Sequence, residues 1–203
     1  MITSEIEICN IALSYLGIES ITSFDENTKQ AKACKLFYDL TRKSLLTNLN
    51  ATFSIARANL AENLDYKPVY GYQKAYVLPF DCLEVLNLGD ITEDEFYQIE
   101  GNYFYCDKQL GNVEIRYIRD VKDVAEFDAK FIELLAVSVA VEICMNLTKD
   151  MQMKNYLEQI KAKKYVECSV KYGRDNRVIV INKPQFRNAR YVAEIPNTNY
   201  LAR

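Results

Sequence analysis

Residues 131–147, FIELLAVSVAVEICMNL, are the most apolar stretch of this 203-residue chain. A helix needs roughly 20 apolar residues to span a bilayer, and this run is shorter and holds Glu133 and Glu142, both costly in lipid. It reads instead as a core helix, apolar on most of its circumference, with Ser138, Glu142 and Asn146 forming a narrow polar stripe at four-residue spacing. Such a helix is stable only when other elements wrap it. Asp128 is placed to cap its start.

Two helices upstream can do the wrapping. Ser4 and Glu7 form a capping box ahead of Ile8, Ile11, Ala12, Tyr15 and Leu16, and Gly17 supplies the stop. A second helix is predicted over 28–49, with Ala31, Cys34, Tyr38, Leu45 and Leu49 near helical spacing and Asp25 or Asn27 as its cap. TFSIARANLAENL, from residue 52, reads as a third, shorter helix. Downstream, TKD at 148–150 interrupts the core helix, which restarts with Met153, Tyr156, Leu157 and Ile160 facing inward as far as Gly173. The periodicity leaves open whether 129–172 is one kinked helix or two.

Between these helices the chain turns to tyrosine, valine and alternation. VYGYQKAYVLPFDCLEVL at 69–86 carries Tyr70, Tyr72 and Tyr76 before Pro79, and Val113, Ile115 and Tyr117 fall on one side of a later strand. LGD at 88–90, EGN at 100–102 and LGN at 110–112 are spaced as antiparallel hairpins require. The expected fold class is therefore α+β, a helix bundle with an inserted antiparallel β-rich subdomain. Residues 1–65 supply N-terminal helices, 66–125 the insert, 126–173 the long core helices and 174–203 an extended C-terminal arm.

The residue inventory removes much chemistry. There is no histidine, and the six cysteines stand at least 24 residues apart, whereas zinc sites usually need close Cys pairs or Cys with His, and a cysteine nucleophile needs a base. No Gly-rich phosphate loop or nucleophile elbow occurs. No enzyme activity, metal or cofactor is expected, and the thiols read as small core hydrophobes in a reducing compartment. Glu5 and Glu7 stand where a secretory signal would want basic residues and then an apolar run, so retention in the cytoplasm is expected.

Charge is uneven along the chain. From residue 149 onward there are twelve Lys and Arg against five Asp and Glu, a net +7, which leaves −10 for residues 1–148 of the overall −3. Lys154, Lys161, Lys164 and Lys171 share one side of the last helix and could grip phosphates, although a charge run on a helix is most often a solvated face. The arm carries Val178, Ile179, Val180 and Ile181, then Phe186, Tyr191 and Tyr200, isolated in polar sequence between prolines. Ordering it requires a large receiving surface, so the arm is expected to lie on a partner, with residues 178–181 adding a strand to a sheet edge.

Five blocks give the chain a family likeness: ALSYLG at 12–17, ITSFDENTKQAKACKLFYD at 21–39, FSIARANLA at 53–61, YGYQKAYVLPFDCLEVL at 70–86 and FDAKFIELLAVSVAVEICMNLT at 127–148. In this order and approximate spacing they resemble the tail tubular protein A family, the head-to-tail adaptors of short-tailed bacteriophages, over roughly residues 5–170. The chain departs in having Ala51 and Thr52 where the family often carries a tryptophan. Beyond about Lys171 nothing aligns.

The resemblance implies a structural virion protein, assembled in the host cytoplasm and located at the portal–tail junction. It implies a homo-oligomeric ring, a dodecamer, that contacts the portal protein and the next tail or nozzle protein, frames a channel for genomic DNA without sequence-specific binding, and has no membrane anchor. An acidic body suits such a channel because it repels phosphate. Tyr70, Tyr72 and Tyr76 would then pack the β-insert, Pro79 would end a strand, and Asp81 would hydrogen-bond the turn backbone. The alternatives are a small nucleic-acid-binding module using the lysine helix and the arm, or a head-completion protein of another connector family.

Overall fold

The computed structural model describes residues 4–66, 68, 70–88, 97–106 and 113–176. The expectations for residues 178–200 of the arm, and for the turns at 89–90 and 110–112, lie outside these residues.

The first helix, α1 (Glu5–Tyr15), begins where the Ser4 hydroxyl accepts from the Glu7 amide at 3.2 Å. It ends where Gly17 takes a left-handed φ of 66° and Ile18 donates back to the Leu13 carbonyl, the closure that glycine permits after a helix. The next helix, α2 (Lys29–Leu49), is capped by Thr28, whose hydroxyl accepts from the Ala31 amide, rather than by Asp25 or Asn27. Those two lie too early in the chain to reach that amide, and pair instead with Lys35 and Lys32.

The predicted third helix is a strand, β1 (Ile55–Leu60), entered through a single 3-10 turn at Thr52–Ser54. Its residues include good helix formers, yet Ala56, Ala58 and Leu60 alternate with Arg57 and Asn59, and a partner strand settles the choice. The β half therefore begins at Ile55, eleven residues before the expected start of the insert at residue 66 and inside the span assigned to helices. The remaining strands are β2 (Lys74–Val77), β3 (Cys82–Leu88), β4 (Tyr97–Glu100), β5 (Tyr103–Cys106) and β6 (Val113–Arg119). They form two antiparallel three-stranded sheets, ordered β1-β6-β3 and β2-β5-β4. Gly101, at φ 57°, turns β4 into β5.

The helix α3 (Ala129–Leu147) is capped by Asp128, which accepts from the Phe131 amide, and most of its residues between Phe131 and Cys144 are buried. After Thr148 the chain breaks at Lys149, which has a φ of 56°, and Asp150 caps a separate helix, α4 (Met151–Asp175). Residues 129–172 thus form two helices, and α4 runs back along α3. On α4, Leu157 is fully buried and Met153 and Ile160 are partly so, while Tyr156 points outward.

Two cores follow from this layout. The larger gathers α1 and α2 around α3 and includes Ile118 and Val121 from the end of β6. Phe53 packs against this core, edge-on to Phe131 at 5.1 Å. The smaller core lies between the sheets and holds Leu60, Tyr76, Phe104, Val113, Ile115 and Tyr117. Two register shifts in β3 let one strand serve both cores, with Leu83 and Leu86 against the bundle and Val85 and Leu88 between the sheets. Bulges re-aim side chains in this way.

Candidate functional site

The lysine stripe faces inward along the helical hairpin. Lys164 Nζ lies 2.6 Å from Glu133, Lys171 2.8 Å from Asp128, Lys161 3.6 Å from Glu142 and Lys154 3.9 Å from Glu158, so each ammonium has a carboxylate neighbour. Three of these carboxylates come from α3 or its cap, which makes the stripe the polar seam of the α3–α4 pair. The hydrogen bond that the Lys164 ammonium donates to Glu133 holds it above the ordinary lysine range. A stripe neutralised from within offers little charge to an external phosphate.

The tyrosine run divides between core and surface. Tyr76 is completely buried against Phe104, whereas Tyr70 is 89% exposed and packs little of the insert. Tyr72 stacks near Tyr105, and Tyr66 stacks on Tyr103 at 5.0 Å. Pro68, Tyr70, Gly71, Gln98 and Glu100 complete a shallow hollow of about 220 Å³ around these rings. Pro79 lies two residues beyond the end of β2, where its carbonyl accepts from the Cys82 amide in a tight turn. The Asp81 carboxylate accepts the Tyr117 hydroxyl at 3.2 Å rather than a turn amide, while its carbonyl accepts from the Asp120 amide. The turn is therefore closed by its own backbone bond and also tied to β6 and to the residue beyond it.

Two charged arrangements were not anticipated from the sequence. Arg42 is fully buried on α2 and donates to Asp39, to Asp120 at 2.5 Å and to the Val121 carbonyl at 2.5 Å, pinning the bundle to the end of β6. Burial pulls its guanidinium down, but Asp120 and Asp39 outweigh that and hold it above the ordinary arginine range. Its sequence signal was a lone cation four residues after Tyr38 and three before Leu45, inside the apolar stripe.

The second arrangement lies on the three-stranded sheet. The register sets Arg57 opposite Arg116 and Arg116 opposite Asn87, a row across β1, β6 and β3. With Asn59 and Glu114 they line a cleft of about 420 Å³ on the sheet face turned away from the inter-sheet core. Asn176, the residue that caps the end of α4, accepts from the Arg116 guanidinium at 3.0 Å. No sequence periodicity could have joined residues 57, 87 and 116.

The cysteines are free thiols, and all but Cys82 are buried. Cys9 and Cys34 are neighbours between α1 and α2; the hydrogen bond between them, together with burial, raises Cys9, and the same bond lowers Cys34 against the opposing effect of burial. Among the described residues no cluster of His, Cys, Asp and Glu is arranged to hold a metal ion, and no helix is long and apolar enough to cross a membrane.

No known protein-family model matches the chain, and no curated protein matches it either.

Proposed function

We propose that the protein is a structural subunit of a phage head-to-tail adaptor ring, seated between the portal and the next tail component and framing the DNA channel. The ordered sequence blocks that resemble that family supply the starting point, and one structural observation carries it further. Large apolar side chains are left outside on both halves of the molecule: Leu36 and Leu40 one turn apart on α2, Val166 and Val170 one turn apart on α4, and Leu64 and Phe80 on the β half. A ring is closed by head-to-tail contacts, which need two non-identical surfaces on each subunit. Exposed apolar positions on separate elements are suited to that, and paired apolar residues on a helix face mark contact surfaces more often than isolated ones.

The test is the mass of the purified full chain in solution and after mixing with portal. The expected outcome is a closed ring of about twelve copies, alone or nucleated on the portal, its symmetry read by electron microscopy. A protein that stays monomeric at all concentrations and does not bind portal overturns the proposal. Leu40→Asp should shift the assembly toward monomer without unfolding it, because the side chain is already in water.

A further inference from the structure

We propose that the cleft on the β1-β6-β3 sheet is a phosphate-binding site built on Arg57 and Arg116. The register places these two guanidiniums on directly opposed positions of neighbouring strands. Adjacent strands lie ~4.8 Å apart, and like charges set opposite each other across a sheet are destabilising. Elsewhere this protein answers such charges internally: Arg42 has Asp39 and Asp120, and Arg119 has Glu126. Among the described residues, neither Arg57 nor Arg116 has a carboxylate within ion-pair distance.

The surroundings suit an oxyanion. Arg116 is held from behind by Asn176, which limits the freedom its fork would lose on binding. Asn59 and Asn87 bring side-chain amides to the same cleft, and two planar forks with amide donors match the tetrahedral oxygens of a phosphate. Glu114, opposite Asn59 on the same face, is the one carboxylate in the lining. It opposes an anion and sets a limit on affinity. The cleft is larger than a free oxyanion requires, so a phosphate carried on a nucleotide or on a nucleic-acid backbone also fits. None of this depends on the ring proposal, since the cleft belongs to a single subunit.

Calorimetric titration of the full chain at low ionic strength tests it, with inorganic phosphate, a short oligothymidylate and an oligoglutamate peptide as probes. Saturable phosphate binding is expected, weakened roughly tenfold by Arg57→Gln and by Arg116→Gln. Arg57→Lys should recover part of the loss, and Glu114→Gln should tighten binding. If the oligonucleotide binds as well, Arg57→Gln should reduce its salt slope by about 0.7, the value for one phosphate contact on a single strand. Phosphate binding without oligonucleotide binding keeps the site and makes a free phosphate or nucleotide its ligand. Binding that is unchanged in both Gln variants, absent phosphate binding, or a preference for oligoglutamate overturns the proposal. Circular dichroism of the variants checks the fold, which exposed Arg57 contributes little to maintaining. A monomer that binds phosphate supports the site as fully as a ring does, so this outcome and that of the assembly test are independent.

Discussion

Three duties meet at Asp128. Its carboxylate caps α3 through the Phe131 amide at 3.1 Å, pairs with Lys171 at 2.8 Å and accepts the Tyr172 hydroxyl at 2.6 Å. Burial pushes the carboxyl up, but Lys171, Tyr172 and the Phe131 amide together outweigh it and hold the group below its ordinary value of 3.8. Burial, with the bond to Asp128, drives the Tyr172 hydroxyl far above the usual tyrosine range. Because the native carboxyl is the stronger acid, the unfolded state binds more protons between the two pKa values, and stability must rise with pH across that window. The contribution is complete above 3.8 and is lost as pH falls through the lower native value. Asn is also a good N-cap, so Asp128→Asn should keep the cap and remove the charge. Urea midpoints measured from pH 5 down to about 2.5 should fall more steeply for the native protein than for the variant. Parallel curves would show that the Lys171 pair adds nothing.

Among the elements, α3 sets the rest in place. Leu134, Leu135, Val137, Val139 and Ile143 are all fully buried, and α1, α2 and α4 pack around them. Leu135→Ala should therefore cost about 2–5 kcal/mol by leaving a cavity that rigid neighbours cannot close, measurable as a lowered urea midpoint with an unchanged slope. A neutral result would place the core elsewhere. This helix was legible because a seventeen-residue stretch that is apolar on most of its circumference has few other solutions, and α1 because its cap and its glycine stop lie beside it in the sequence. The strand β1 was not. Its alanines, leucine and arginine favour a helix locally, and only β6, more than fifty residues away, makes the alternation count. The same distance hid the Arg57–Arg116–Asn87 row and the partners of Arg42. A charge's neighbour across a sheet is a property of register, which no window of sequence contains. The lysine stripe was visible as a stripe, but its meaning depended on whether α3 carried acids opposite, and that needed the hairpin.

At the scale of the whole molecule, two cores are joined by one short stretch, from Ile118 to Val121, with Arg42 clamped across it and β3 sending residues to both sides. The described residues that build both cores lie within residues 4–176. The last described residue, Asn176, closes α4 by donating its amide to the Tyr172 carbonyl and is bonded to Asn50 and Arg116. A chain ending at Asn176 therefore retains the described contacts of both cores, the α4 cap and the phosphate cleft. Deleting residues 177–203 should leave the melting temperature unchanged. The deleted segment nonetheless holds Val178–Ile181, Phe186, Tyr191 and Tyr200, apolar residues for which the described body provides no evident need. If the chain is the proposed adaptor subunit, these residues are expected to contact the portal or a neighbouring copy, where strand addition and pocket filling would supply the affinity. The truncated protein should accordingly fold, bind phosphate as the full chain does, and fail to attach to portal-bearing heads in a pull-down. Unfolding of the truncated protein would assign the segment to the protein's own core, and normal attachment would place the whole portal contact within residues 4–176; either result defeats the expectation.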